Sequence, residues 1–214
     1  MEVLKTIDSV TTYDEAQHFV EFMSKINVGM KNVFLDACLH NNLIAAAYIH
    51  TTHADKLTAK MYAHNFSYVC SLGHLEMAQW IFSVNTDIDS SMYNEEAFRM
   101  ACAQGHLKVA QWLLSVKPSI DISIYAEDAF RMACSNGHLE VAKWLLSVKP
   151  EIDICVLDYD VFKNVCEHGH IDVLFLLLCE MKRILNTDTL PDDEKTKIET
   201  ACMIGFNQML RSKM

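Results

Sequence analysis

Apolar residues recur along this chain at the helical spacing of three and four, in short stretches that stop and restart at a fixed interval. Between Tyr125 and Ile154, Phe130, Ala133 and Cys134 fall at i, i+3 and i+4 and make one stripe. Leu139, Val141, Ala142, Leu145 and Leu146 make a broader one. Gly137 stands between them, a residue that closes a helix in the left-handed conformation without a steric penalty. The pattern predicts a short one-faced helix starting near Ala129, a tight turn at Gly137, and a second helix from about His138 that Lys149 and Pro150 end. Glu127 or Asp128, the latter above all, is expected to cap the first helix, because a carboxylate accepts free amide hydrogens and suits the positive end of the dipole. The residues that follow, PSIDISIY and PEIDICVL, alternate β-branched with polar side chains but have no second strand to pair with. They are expected to form a turn or a protruding finger.

This unit repeats. Gly73, Gly105, Gly137 and Gly169 stand 32 residues apart in the phrases GHLEMAQW, GHLKVAQW, GHLEVAKW and GHIDVLFL. Counting back one period reaches Asn41, the other residue type that tolerates a left-handed backbone, and Gly205 lies 36 residues beyond Gly169. Columns run down the chain: Phe34, Phe66, Phe98, Phe130, Phe162 and Ile198; Cys38, Cys70, Cys102, Cys134, Cys166 and Cys202; Tyr48, Trp80, Trp112, Trp144 and Leu176. A fixed period of this length means a stacked repeat protein, one continuous core that presents an extended surface. The three tryptophans are expected to stack as a ladder on the second helices.

The ends depart from the pattern. Tyr13 to Ile26 reads as an amphipathic helix, capped by Thr12 or Asp14, with Ala16, Phe19, Val20 and Met23 on the face that closes the first repeat. Residues 1–33 are therefore read as an N-terminal capping region, 34–205 as the repeats and 206–214 as the end of the capping repeat. Asn186 to Lys195, NTDTLPDDEK, lengthens the last connection by four residues, an insertion either tolerated or functional.

Composition narrows the function. The chain of 214 residues carries a formal net charge of −10, which disfavours a phosphate backbone as partner and favours another protein, one with a basic surface. Six of the eight cysteines share one repeat column, where a small apolar side chain fits between helices, so they read as buried thiols of a reducing compartment. The start MEVLKTIDSV is unlike a signal peptide and no apolar run is long enough to span a bilayer, which predicts a cytoplasmic protein.

The phrase AFRMACSNGHLEVAKWLL resembles an ankyrin repeat, and its wording is similar to that of ankyrin proteins of giant DNA viruses of amoebae; the likeness covers roughly residues 34 to 205. The family's TPLH entry is replaced by EAFR, DAFR and DVFK, so Glu96, Asp128 and Asp160 fall at its threonine and Arg99, Arg131 and Lys163 at its histidine. The resemblance implies an all-α solenoid of helix-turn-helix repeats with protruding fingers. It implies further that fingers and first helices form a concave face that binds proteins without catalysis, in a viral protein acting on host proteins in the host cytoplasm. Once the packing columns are set aside, the residues expected on that face are Tyr93, Asn94, Glu95, Arg99, Tyr125, Glu127, Arg131, Tyr159 and Lys163, rich in the tyrosine and arginine that dominate interfaces. The opposing reading has the arginines pair with carboxylates of neighbouring repeats and the tyrosines cover finger stems. Acids gather in the connections, at Asp87, Asp89, Asp121, Glu151, Asp153 and Asp158, to steer a basic partner or to keep the stack in solution. Two alternatives to a stand-alone binding module are an adaptor to a ubiquitin ligase, with Leu190-Pro191 similar to the opening of an F-box, and a self-assembling structural protein.

Chemistry has weaker footing. Cys-x3-His recurs at Cys70 and His74, Cys102 and His106, Cys134 and His138, Cys166 and His170. Repeats stacked about 10 Å apart do not bring four such ligands within the 2.0 to 2.3 Å that zinc requires. Core cysteines and turn-capping histidines explain the pairs, and neither a nucleophile elbow nor a phosphate loop occurs, so no cofactor, metal or catalytic residue is assigned.

Overall fold

The computed structural model describes residues 6–85, 91–154 and 156–185, together with Thr196, Thr200 and Met203; the side chains of 91–94, Ala126, 156–159 and Leu185 lie outside the described set. Among the described residues eleven α-helices follow a short 3-10 turn, Ile7–Ser9, with a second such turn at Ala54–Lys56. Helix α1 (Tyr13–Lys25) is the N-terminal cap. Five pairs come after it: α2 (Met30–Leu39) with α3 (Leu43–Thr52), α4 (Ala59–Ser71) with α5 (Leu75–Val84), α6 (Ser91–Ala103) with α7 (Leu107–Val116), α8 (Ile124–Ser135) with α9 (Leu139–Val148), and α10 (Val156–Glu167) with α11 (Ile171–Leu185). The architecture is the expected all-helical solenoid.

Each pair is joined as the sequence predicts. In α4 the Gly73 amide donates to the Cys70 carbonyl at 3.2 Å and the His74 amide to Val69 at 3.1 Å, the double bond of a Schellman closure. Gly73, Gly105, Gly137 and Gly169 have φ between 74° and 79°, and Asn41 takes the same role at 54°. The glycines are required twice over. A Cβ on Gly73 would stand 2.4 Å from Nδ1 of His106, and Gly105 and Gly137 would meet His138 and His170 at 2.5 Å. The histidines thus reach back over the preceding repeat, and His74, His106 and His138 give no side-chain cap to their own helices, contrary to the turn-capping role expected. The imidazole of His138 instead bonds the Ala103 carbonyl, which also accepts from the side-chain Nδ2 of Asn136 at 2.7 Å.

First helices form the continuous layer of the stack, each packed on the next, while second helices pack mainly on their own partners. The core follows the predicted columns through the five pairs: Phe34, Phe66, Phe98, Phe130 and Phe162 are buried, as are Cys38, Cys70, Cys102, Cys134 and Cys166, while Ile198, Cys202 and Gly205 lie outside the described residues. Burial pushes the Cys38 thiol up to about 12 and the thiols of Cys70, Cys102 and Cys134 higher still, so these sulfurs stay protonated and serve as packing. The tryptophans form a different ladder from the one expected. Trp80 stands 6.3 Å from Phe34, Trp112 6.2 Å from Phe66 and Trp144 6.1 Å from Phe98, each indole on the phenylalanine of the repeat before it. A 32-residue period places like residues a full repeat apart, and the ring that each indole meets is the preceding repeat's phenylalanine.

The first helices begin earlier than their acidic residues suggest. α8 starts at Ile124, not near Ala129, so Asp128 lies inside the helix and caps nothing; Glu96 and Asp160 likewise fall within α6 and α10. The connection between α7 and α8 is a turn tucked inward, with Ile120 and Ile122 buried, and Ile152 and Ile154 repeat this before α10. Burying these β-branched anchors draws the chain into the helix a turn sooner than local capping chemistry dictates. The entry is irregular, with Tyr125 and Glu127 at φ 54° and 58°. At the N-terminus α1 lies as predicted, capped by Thr12, whose hydroxyl accepts from the Glu15 amide at 3.2 Å, with Ala16, Phe19 and Val20 buried.

Candidate protein-binding face

The two readings of the first-helix residues meet at the junction of α6 and α8. Arg99, from α6, places a guanidinium on the Asp128 carboxylate of the next repeat and holds its carbon 4.9 Å over the Tyr125 ring. Arg131, one turn along α8, approaches the other oxygen of Asp128 at 3.6 Å. Asp128 is thus a shared counterion between two arginines, all three side chains mostly buried. Such a cluster orders the junction: losing the carboxylate leaves two half-desolvated cations without compensation. Arg99 and Arg131 were expected as free contact residues, and the geometry gives them a stacking role, because the capping acid of the sequence reading has moved inside the helix to meet them.

Glu127 is corrected in the same way. It is 8% exposed, and its carboxylate lies 3.7 Å from the Lys149 ammonium that ends α9, so it is part of the packing. Tyr125 keeps its predicted exposure, 67%, with one ring face held by Arg99 and the rest in solvent. Glu95 is half-buried on α6 and Lys163 exposed on α10. The side chains of Tyr93, Asn94 and Tyr159 lie outside the described residues, as do Asp87, Asp89, Asp158, Leu190, Pro191 and the 186–195 insertion. Of the acids in the connections, Asp121 is exposed and accepts from the Ser123 amide at 2.9 Å, and Glu151 is exposed.

The structure adds a column that the sequence reading passed over. Tyr68, Met100 and Met132 occupy one position on α4, α6 and α8, five residues before the closing glycine, and all three are exposed on the first-helix layer. Asp36 and Asn164 occupy that position in the repeats to either side, so the apolar run is confined to the middle. Exposed Glu96 and Asp160 lie one turn toward the helix start, and exposed Leu72 one turn beyond Tyr68. An exposed apolar run among charges is the ordinary composition of a contact surface, and methionine adapts to varied shapes. The signal was present in the sequence as a column of large apolar residues that the packing stripe does not need.

Residues 66–158 match the family model of ankyrin repeats, in three copies. The matched span runs from the middle of α4 to the start of α10, and the α2–α3 and α10–α11 pairs extend the same pattern on both sides. Ankyrin repeats mediate protein–protein interaction and are typically without catalysis of their own. Among curated proteins, none matches the chain. Among the described residues no group of three or more His, Cys, Asp or Glu is placed to hold a metal ion, and no helix is long and apolar enough to cross a membrane.

Proposed function

We propose that the chain binds another protein through the first-helix face of its ankyrin stack, with Tyr68, Met100, Met132 and Tyr125 as the apolar and aromatic contacts and Glu95, Glu96, Lys163 and Asp160 as the charged rim. The observation that carries this reading is the exposed column Tyr68, Met100 and Met132, repeated on three consecutive first helices. Nothing in the packing requires large apolar side chains there. The net charge of −10 supports a partner with a basic surface, drawn in by long-range attraction that salt weakens. The wording of the repeats supports a place among ankyrin proteins of giant DNA viruses, acting on a host protein in the host cytoplasm.

The test is capture of partners with the wild-type chain and with two variants, each shown to fold by circular dichroism. In the first, Tyr68, Met100, Met132 and Tyr125 are changed to serine. In the second, Gln79 and Gln111 on the second helices are changed to alanine. Loss of the same partners from the first variant alone is the expected result. Partners kept by the first variant and lost from the second would move the site to the other side of the stack and end this reading. Arg99, Arg131 and Asp128 are left intact, since changing them would disturb the stack itself.

A further inference from the structure

We propose that the outer face of α11 is a self-association surface, on which the same helix of a second copy of this chain packs antiparallel. The first observation is a break in a column. Gln79, Gln111 and Lys143 occupy one exposed position on α5, α7 and α9; in α11 that position is Phe175, 70% exposed. One turn before it Ile171 is 44% exposed, and one turn after it Cys179 is exposed where the other repeats carry Ser83, Ser115 and Ser147. Those serines satisfy themselves, each hydroxyl donating to the carbonyl of its tryptophan at 2.6 to 2.7 Å. Ile171, Phe175 and Cys179 fall at i, i+4 and i+8 and make a continuous apolar stripe on a helix of 15 residues, against 10 in α5, α7 and α9.

Stacking does not explain this stripe. Gln79 and Gln111 have complete repeats on both sides and remain exposed, so a further repeat laid after α11 in the same register would leave Phe175 in solvent. The charges say what covers it. Asp172 is exposed in the first turn of α11 and Lys182 in its last. In an antiparallel pair centred on Phe175 the two phenyl rings meet at the two-fold axis and Ile171 meets the second copy's Cys179. Each Asp172 then lies opposite position 178 of the other helix, about one turn, or roughly 6 Å, short of its Lys182, a gap that the long lysine side chain spans, and the helix dipoles oppose favourably. The stripe is self-complementary in this way, whereas a partner of one charge sign would be attracted at one end and repelled at the other. The pairing uses the side of the repeats opposite the first-helix layer, so it stands apart from the binding reading above and leaves that face open on both copies. Two linked faces would then engage a multivalent target with an avidity neither has alone.

Sedimentation velocity of the full chain over a wide concentration series tests this. The expected result is a concentration-dependent dimer whose dissociation constant rises at least about a hundred-fold in Phe175→Gln, a change that copies the residue at positions 79 and 111 and removes a buried ring from each copy. Asp172→Lys is expected to weaken the dimer, and Asp172→Lys combined with Lys182→Asp to restore it, since the exchange keeps opposite charges neighbouring across the pair, about one turn apart along the axis. A wild-type chain that stays monomeric throughout would overturn the proposal. So would a dimer that Phe175→Gln leaves unchanged while circular dichroism shows both chains folded, and so would failure of the charge exchange to restore what the single change weakened.

Discussion

The middle repeats and the two ends of the stack occupy the same columns with different neighbours. In the middle, His106 and His138 lie over Gly73 and Gly105, and Trp112 stands on Phe66 of the repeat before it. At the N-terminal end the same places hold Asn41, Asn42 and Tyr48. Asn42 caps α3 by accepting from the Ala45 amide at 2.9 Å while its own amide donates to Ile7 at 2.7 Å and Val10 at 2.9 Å. Tyr48 packs against Tyr13 of α1 at 5.4 Å, so the cap supplies the ring that a preceding repeat would have given. At the far end of the described helices no atom lies within 4 Å of where a Cβ on Gly169 would stand, and Phe175 is exposed. Interior columns are answered by the next repeat, whereas terminal columns need other partners, and residue identity changes where the partner does.

If that contrast governs stability, its largest effect falls on the aromatic column. Trp112→Ala is expected to cost about 3 kcal/mol, because the half-buried indole also packs on Phe82 at 5.7 Å, and Leu176→Ala at the same position of the last described pair about 2 kcal/mol. Urea denaturation followed by far-ultraviolet dichroism measures both, and equal costs would break the comparison. Gly105→Ala comes next, at about 2 kcal/mol or more, since the methyl group meets His138 in addition to the left-handed backbone; Gly169→Ala carries only the backbone term, about 1 kcal/mol. A double change of Gly105→Ala with His138→Ala should recover part of the loss. Asp128→Ala is expected to cost about 1 to 2 kcal/mol by leaving Arg99 and Arg131 without their shared counterion. Asp160→Ala, on the exposed counterpart in α10, should change denaturation midpoints far less.

The smallest effect is a pH dependence. Burial holds the His138 imidazole below its ordinary value of 6.5; the bond to the Ala103 carbonyl opposes this, and His106 and His170 on either side add to the lowering. A folded value below the unfolded one means that the unfolded chain takes up the proton more readily. The contribution of His138 is therefore fully present above pH 6.5 and is lost as pH falls through the folded value. Denaturation midpoints should drop on acidification through that window, and His138→Gln should flatten the drop. An unchanged slope would place the acid sensitivity elsewhere.

How far the sequence reached is plain from particular residues. The Gly73 to Gly169 series, the Phe and Cys columns, and α1 with its Thr12 cap and its Ala16, Phe19 and Val20 face were all legible, because each is a local requirement: a left-handed closure, a 3.6-residue stripe, a hydroxyl before a helix. The candidate site was legible only in part. Tyr125 is exposed as the sequence predicts, but the local pattern makes Asp128 a cap and Glu127 a contact, since capping chemistry looks the same whether the helix starts at Ala129 or at Ile124. What moves the start is the burial of Ile120 and Ile122 in the shared core of the stack.

The amino-acid sequence by itself thus determined the repeat, its period, the two helices of each unit and the residues between them, since spacing and backbone chemistry act over a few neighbours. Tertiary structure alone decided that the histidines turn back onto the preceding glycines and that each tryptophan meets the preceding phenylalanine. It also decided that Asp128 joins Arg99 to Arg131, and that Tyr68, Met100, Met132 and Phe175 are left in solvent. These are relations between residues about one repeat apart, set by how the units stack, and burial has no value until the stack exists.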